Sequence, residues 1–180
     1  SVNRAAAMTP NVPDLWLASF PWPAVEAHKH VRGRLGVIAG PAGRTGAARL
    51  AARAGLRVGA GVVRLLCPPD AVSVLAVTME AVMVDAFESP ADLHRLAAPL
   101  DAAVIGPAAG VDEATVEALD VLAQSGAALV VDADALTVFH DRPAALFAHL
   151  DRDEVMNPHE GVFERRLTGL LGSGRVTAAA

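Results

Sequence analysis

From Leu35 onward, short unbroken apolar runs alternate with longer stretches rich in alanine and leucine. Leu35–Ala39 (LGVIA) is bounded by glycines and polar residues, as expected of a strand buried on both faces. Thr45–Val58 predicts a helix, with Thr45 at its N-cap and Gly59 just past its end. Val62–Leu66 predicts a second strand, stopped by Pro68 and Pro69, after which Asp70 is expected to cap a short helix over Ala71–Val77. Ala81–Asp85 is a weaker third strand. Ser89-Pro90 opens a helix toward Leu96, with serine as cap and proline in the first turn. Ala102–Ile105 predicts a fourth strand, Asp112–Ser125 a helix capped by Asp112 and closed by Gly126, and Ala128–Asp132 a fifth strand. A helix over Pro143–Leu150 and a short strand at Glu154–Met156 complete the pattern. Strictly alternating strands and helices predict an α/β fold in three layers, a mostly parallel central sheet with helices on both faces.

Residues 1–24 do not follow this alternation. Pro10, Pro13, Pro21 and Pro23 surround Trp16 and Trp22, which reads as an irregular arm laying aromatic anchors on the fold, or as a linker. Composition sharpens the picture in two places. The 180 residues include 38 alanines and no tyrosine, and small side chains at that density suit helices packed closely on a sheet or on another subunit. The net charge of −5 argues against a general binder of nucleic acid or membrane surfaces, which would present a basic face. A single cysteine, Cys67, excludes an intramolecular disulfide and lies in an apolar run, as a packed thiol would. No apolar run approaches the roughly 20 residues of a membrane span, and no export signal is visible at the N-terminus. A cytoplasmic protein is expected.

In an open parallel sheet, ligands bind beyond the carboxyl ends of the strands. Four such ends carry unusual sequence. Gly40-Pro41-Ala42-Gly43-Arg44-Thr45-Gly46-Ala47 could bring backbone against a ligand and present helix N–H groups to an anion, or be a simple turn. Gly106-Pro107-Ala108-Ala109-Gly110 carries the same two readings. Asp132-Ala133-Asp134 places two carboxylates at a strand end, to orient a hydroxyl, a ribose or a metal; alternatively Asp134 caps the next helix and Asp132 binds nearby N–H groups. Asn157-Pro158-His159-Glu160-Gly161 offers a histidine that can donate to a phosphate or carbonyl. His159 and Glu160 lack a third ligand at a readable spacing, so no metal site is expected in the protein itself.

Taken in order, these stretches resemble the ADP- or ATP-dependent NAD(P)H-hydrate dehydratases of the ribokinase-like superfamily. The resemblance covers about residues 25–170. It is carried by His28-Lys29, Arg32-Gly33, Gly36-Val37-Ile38-Ala39-Gly40, Gly46-Ala47-Ala48, Arg57-Val58-Gly59-Ala60-Gly61, Ile105-Gly106-Pro107, Asp132-Ala133-Asp134-Ala135-Leu136 and Pro158-His159-Glu160-Gly161, with Phe163 and Leu167. It implies a ribokinase-like fold, with residues 25–180 forming the N-terminal two-thirds of a dehydratase domain. It further implies repair of hydrated nicotinamide nucleotides: ADP or ATP with Mg²⁺ phosphorylates the ring hydroxyl of NAD(P)H hydrate, and the ring nitrogen's lone pair then expels the phosphate. By motif match, Gly46, Ala47, Gly106 and His159 would line the hydrate pocket, while Gly43, Asp132, Asp134 and Asn157 would form the phosphate edge.

The match has departures. The family's second glycine after Gly-Pro is Ala108 here, its threonine before Pro-His is Asn157, and its acid before phenylalanine is Val162. The family's later Lys-Gly segment and its Gly-x-Gly-Asp motif, which carries the catalytic aspartate, are not in this sequence, so the chain by itself is expected to be inactive. Family habit implies a homo-oligomer, and related bifunctional proteins carry an upstream epimerase domain. Two other readings share much of the pattern: a ribokinase-like kinase acting on a vitamin precursor, and a non-catalytic nucleotide-binding module.

Overall fold

A computed structural model describes residues 10–150 and 154–158. In chain order it contains β1 (Arg34–Ile38), α1 (Gly46–Val58), β2 (Val62–Cys67), α2 (Val72–Thr78), β3 (Met83–Ala86), α3 (Pro90–Ala97), β4 (Ala102–Ile105), α4 (Glu113–Ser125), β5 (Ala128–Asp132), α5 (Ala133–Thr137), α6 (Pro143–His149) and β6 (Glu154–Asn157). A short 3₁₀ turn at Pro13–Leu15 lies in the N-terminal arm, and two more, at Ala42–Arg44 and Pro69–Ala71, lie within the connections from β1 to α1 and from β2 to α2. All six strands join one sheet in the order β3-β2-β1-β4-β5-β6, and every pairing is parallel.

That order reverses direction between β1 and β4. The chain first builds outward through β2 and β3, then returns to the other side of β1 and builds outward again. Each half of the sheet thereby acquires its own layer. Val37, Ala39, Val63, Leu65 and Cys67 pack with Ala48 and Ala52 of α1 and Leu75 of α2. Ile38, Leu66, Ala103, Ile105, Leu129, Val131 and Met156 pack on the other face with Leu93, Leu96, Leu119, Leu122, Phe139 and Leu146. The expected sandwich of helices around a parallel sheet is thus present.

Alanine abundance finds its use in α1. Its buried stripe is Ala48, Ala52 and Gly55, and a methyl group on Gly55 would overlap the Leu35 side chain. Helix and sheet therefore approach more closely than larger residues would allow. The cover is not uniform. Val37, Val104, Val130 and Val155 form a cross-strand row on the α1 side, through the β1–β4, β4–β5 and β5–β6 registers. Val37 is fully buried, Val104 half-buried, Val130 36% exposed and Val155 48% exposed.

Several local expectations need correction. Thr45 does not cap α1 with its side chain; the Ala42–Arg44 turn winds the chain early, so Thr45 already has helical φ and ψ of −85° and −10°. Asp70 does not cap α2 either, and lies inside the turn that leads into it. The third strand starts two residues late, at Met83, and Ala81 ahead of it takes a left-handed φ of 61°, off the extended path of a strand. The next helix starts at Ala133, directly after β5, so Asp132 and not Asp134 stands at its N-cap. The aromatic arm residues contact one another rather than anchoring on the sheet: Trp16 and Phe20 centroids lie 5.9 Å apart, Phe20 and Trp22 4.7 Å, and both tryptophans are exposed. His149 Nδ1 lies 3.1 Å from Asp120 Oδ1, and its ring stands against Phe139.

Other expectations hold. Ser89 accepts the Asp92 N–H and Asp112 accepts the Thr115 N–H, as N-caps should. Left-handed Gly59 and Gly126 close α1 and α4. Cys67 is a buried free thiol, and burial, with Asp70 and Asp85 adding to it, pushes its pKa up to about 11. No helix among the described residues is long and apolar enough to cross a membrane.

Candidate functional site

The reversal in strand order fixes where a site can form. Connections leaving β1 and β4 diverge to opposite faces, which leaves a crevice at their carboxyl ends. Two loops meet there. A methyl group on Gly40 would overlap the carbonyl oxygen of Ala108, so the β1 and β4 loops touch through bare backbone. Gly106 has φ of 127° and lies against the Asp132 carbonyl, where no side chain fits, which joins the β4 loop to the end of β5. Asp132 in turn pairs in register with Asn157 of β6. The strand ends singled out in the sequence as far as Asn157 therefore share one rim. His159 lies outside the described residues.

Hydrogen bonds tie the rim together. Asp70, beyond β2, accepts the Ala42 N–H at 3.2 Å and holds the β1 loop from the far side. Asp132 accepts the Ala133 N–H at 2.7 Å and stands at the N-cap of α5. Asp134 accepts the Gly110 N–H at 2.9 Å, and buried Thr115 donates its hydroxyl to the Gly110 carbonyl at 2.7 Å. Both aspartates thus have one carboxylate oxygen committed to backbone. For Asp132 this favours the local, structural alternative; Asp134 serves the neighbouring loop and caps no helix. Two rim residues sit in left-handed backbone without being glycine, Ala108 at φ 60° and Ala133 at φ 42°. Such conformations cost about 1–3 kcal/mol each and persist where the surroundings hold them, typically around sites.

Beside the crevice, α1 presents its first turn. Gly43, Gly46 and Ala47 are exposed, and a methyl group on Gly43 or Gly46 would meet nothing within 4 Å. Space is therefore free next to the unpaired N–H groups of a 13-residue helix, the arrangement that receives phosphates elsewhere. Among the described residues, no three His, Cys, Asp or Glu side chains come together to hold a metal ion.

Sequence reasoning located Gly43, Gly46, Ala47, Gly106, Asp132, Asp134 and Asn157 but missed Asp70 and Thr115 as parts of the rim. Asp70 acts 28 residues from its partner and Thr115 lies inside a helix, so spacing carried no signal for either.

Comparison with known proteins agrees with this layout. The sequence profile of the NAD(P)H-hydrate dehydratase family matches residues 35–180. The chain is 32% identical over 153 residues to the ATP-dependent (S)-NAD(P)H-hydrate dehydratase of Bos taurus, covering 81% of this chain and 46% of that protein. It is 35% identical over 161 residues to the bifunctional NAD(P)H-hydrate repair enzyme of Mycobacterium tuberculosis, covering 89% and 32%. The chain thus spans less than half the length of these curated relatives. Its fold is like that of the ADP/ATP-dependent NAD(P)H-hydrate dehydratase of Bacillus subtilis co-crystallized with ATP/Mg²⁺, with a TM-score of 0.67 at 23% identity over 88% of this chain and 55% of that one. A ribokinase-like superfamily protein of Enterococcus faecalis gives the same TM-score at 22% identity, over 80% and 51%. A rim built at the reversal of a parallel sheet, and a profile that spans everything from β1 onward, lead to one assignment: the chain belongs to the NAD(P)H-hydrate dehydratase family.

Proposed function

We propose that the chain supplies the rim on which NAD(P)H hydrate and the phosphates of ADP or ATP are held during ATP- or ADP-dependent dehydration, a carbon–oxygen lyase reaction. One observation carries this reading: loops from both halves of the sheet meet through Gly40 and Ala108 beside the open first turn of α1. Gly46, Ala47 and Gly106 then border the hydrate, with His159 assigned to the same ligand by motif alone. Gly43, Asp132, Asp134 and Asn157 border the phosphates.

The chemistry sets the division of labour. When bound, the nucleotide supplies the phosphoryl group that converts a ring hydroxyl into a leaving group. Backbone N–H groups at Gly46 and Ala47 favour negative charge through the helix dipole, and they do so without reorganising. The touching loops fix the two ligands relative to each other, which is worth several kcal/mol in such transfers. Mg²⁺ fits this rim as a companion of the phosphates: Asp132 retains one carboxylate oxygen, and no all-protein cage forms among the described residues. The reading includes a cytoplasmic setting and a homo-oligomer, the latter supported by the Ala-rich helices.

Isothermal titration of the chain with ADP and ATP, with and without Mg²⁺, tests the proposal. Saturable binding that Gly43→Ala weakens, with folding intact, is expected because the new methyl occupies the open space at the phosphate edge. Absence of binding, or binding indifferent to Gly43→Ala, contradicts it. In a protein extended to include the Gly-x-Gly-Asp motif, adding NADH hydrate and following the absorbance of the reduced ring separates the lyase reading from a kinase, which would release a stable phosphorylated product.

A further inference from the structure

Gly110 is gripped at both of its backbone polar groups. Its N–H donates to Asp134 Oδ2 at 2.9 Å and its carbonyl accepts the Thr115 hydroxyl at 2.7 Å. Thr115 is itself fixed, being buried and donating its own N–H to Asp112 at the start of α4. At the other end of the same short loop, the Ala109 N–H donates to the Gly106 carbonyl at 3.0 Å, and Gly106 is locked against Asp132. Between these two anchors lies Ala108, in left-handed backbone at φ 60°, with its carbonyl against Gly40 of the other loop. An alanine released from such restraint relaxes to negative φ, because its Cβ is penalised in the left-handed region. Relaxation would swing the Ala108 carbonyl, and that carbonyl is what meets the β1 loop.

We infer that Asp134 is a positioning residue: its carboxylate clasps the Gly110 N–H and so holds Ala108 in the strained conformation that sets the distance between the two halves of the rim. It acts through the loop, 24 residues away in sequence, and not as a phosphate or metal ligand. Nucleotide affinity depends on it only because the rim does, so that part of the inference rests on the binding reading above; the clasp itself does not.

The two layers separate in one experiment on the whole chain, in which amide exchange at Gly110 is followed by NMR and Mg·ADP affinity by titration. Asp134→Ala removes the acceptor and is expected to raise Gly110 exchange and weaken Mg·ADP binding, each about tenfold or more. Asp134→Asn keeps an acceptor oxygen while losing the charge, and is expected to stay within about threefold of the parent in both. Unchanged Gly110 exchange in Asp134→Ala overturns the clasp. Equal loss of affinity in Asp134→Asn and Asp134→Ala overturns it too, because it marks the charge, not the acceptor, as what matters. If the parent binds no Mg·ADP, the binding reading falls and the exchange measurement alone decides the clasp. Should Asp134→Ala fail to fold, Asp134→Glu displaces the carboxylate by one methylene and is expected to raise Gly110 exchange in the same direction.

Discussion

Gly106→Ala is the sharpest perturbation available at the rim. The new Cβ would overlap the Asp132 carbonyl oxygen, and restoring an ordinary C···O separation of about 3.3 Å moves one strand end by more than about 1 Å. Its φ of 127° is a second obstacle, since that region is nearly closed to side chains and costs about 1–3 kcal/mol. Displacing the loop also breaks the Gly110–Asp134 bond, a hydrogen bond to a charged group worth about 1.5–3 kcal/mol. Together these give a loss of about 3–5 kcal/mol, a large part of the roughly 5–15 kcal/mol that stabilises a domain. Urea unfolding followed by far-ultraviolet circular dichroism measures it, because Trp16 and Trp22 sit in the exposed arm and report poorly on the sheet. With a slope near 2 kcal/mol/M, the midpoint should fall by about 2 M. Gly43→Ala is the internal control: its methyl group meets nothing and its stability should hold or rise by about 0.4–1 kcal/mol. A Gly106→Ala midpoint within about 0.3 M of Gly43→Ala would refute the packing argument.

Ala108→Gly relieves a left-handed alanine at a gain of about 1–2 kcal/mol but frees the unfolded chain by about 0.5–1 kcal/mol, so a net stabilisation of at most about 1.5 kcal/mol is expected in the same assay. Cys67 holds its proton more tightly folded than unfolded, so the stability it contributes is complete below pH 9.0 and is lost as pH rises toward 11; Cys67→Ala should flatten that alkaline decline, and the native thiol should resist disulfide reagents until the chain unfolds. Ser89→Ala removes a side-chain cap from α3 and should cost about 1 kcal/mol in denaturant unfolding. The Ser89 hydroxyl and Arg95 also hold the Asp92 carboxyl below its ordinary value of 3.8, so this contribution is present at neutral pH and lost on acidification through that lowered value; Ser89→Ala should shift the Asp92 titration, read by carboxyl NMR, upward.

What could be read from the letters was local. Unbroken apolar runs marked β1 and β2, which are covered on both faces, and also β5, although its Ala128 and Val130 are exposed; Ser89, Asp112, Gly59 and Gly126 announced helix ends because cap chemistry acts within three or four residues. Reading failed where local preference lost to tertiary context. Nothing in alanine signals a left-handed residue, so Ala81, Ala108 and Ala133 were invisible, and with them the late start of β3 and the turn into α5. Thr45 looked like a cap until the preceding 3₁₀ turn absorbed it. The clasp between Asp134 and Gly110 and the tether from Asp70 to Ala42 join residues far apart in sequence, and only the strand order brings them together.

The valine row that runs from Val37 to Val155 gives the sheet a graded grip along its width. Opening should start at the β6 margin and reach β1 last, since protection follows the apolar area removed from water. A ligand spanning the crevice suppresses only those openings that release it, so fraying of the margin with the ligand still seated would go on as before. Exchange measured with and without nucleotide would then change most at amides around the place where the two loops meet, and least at the outer strand.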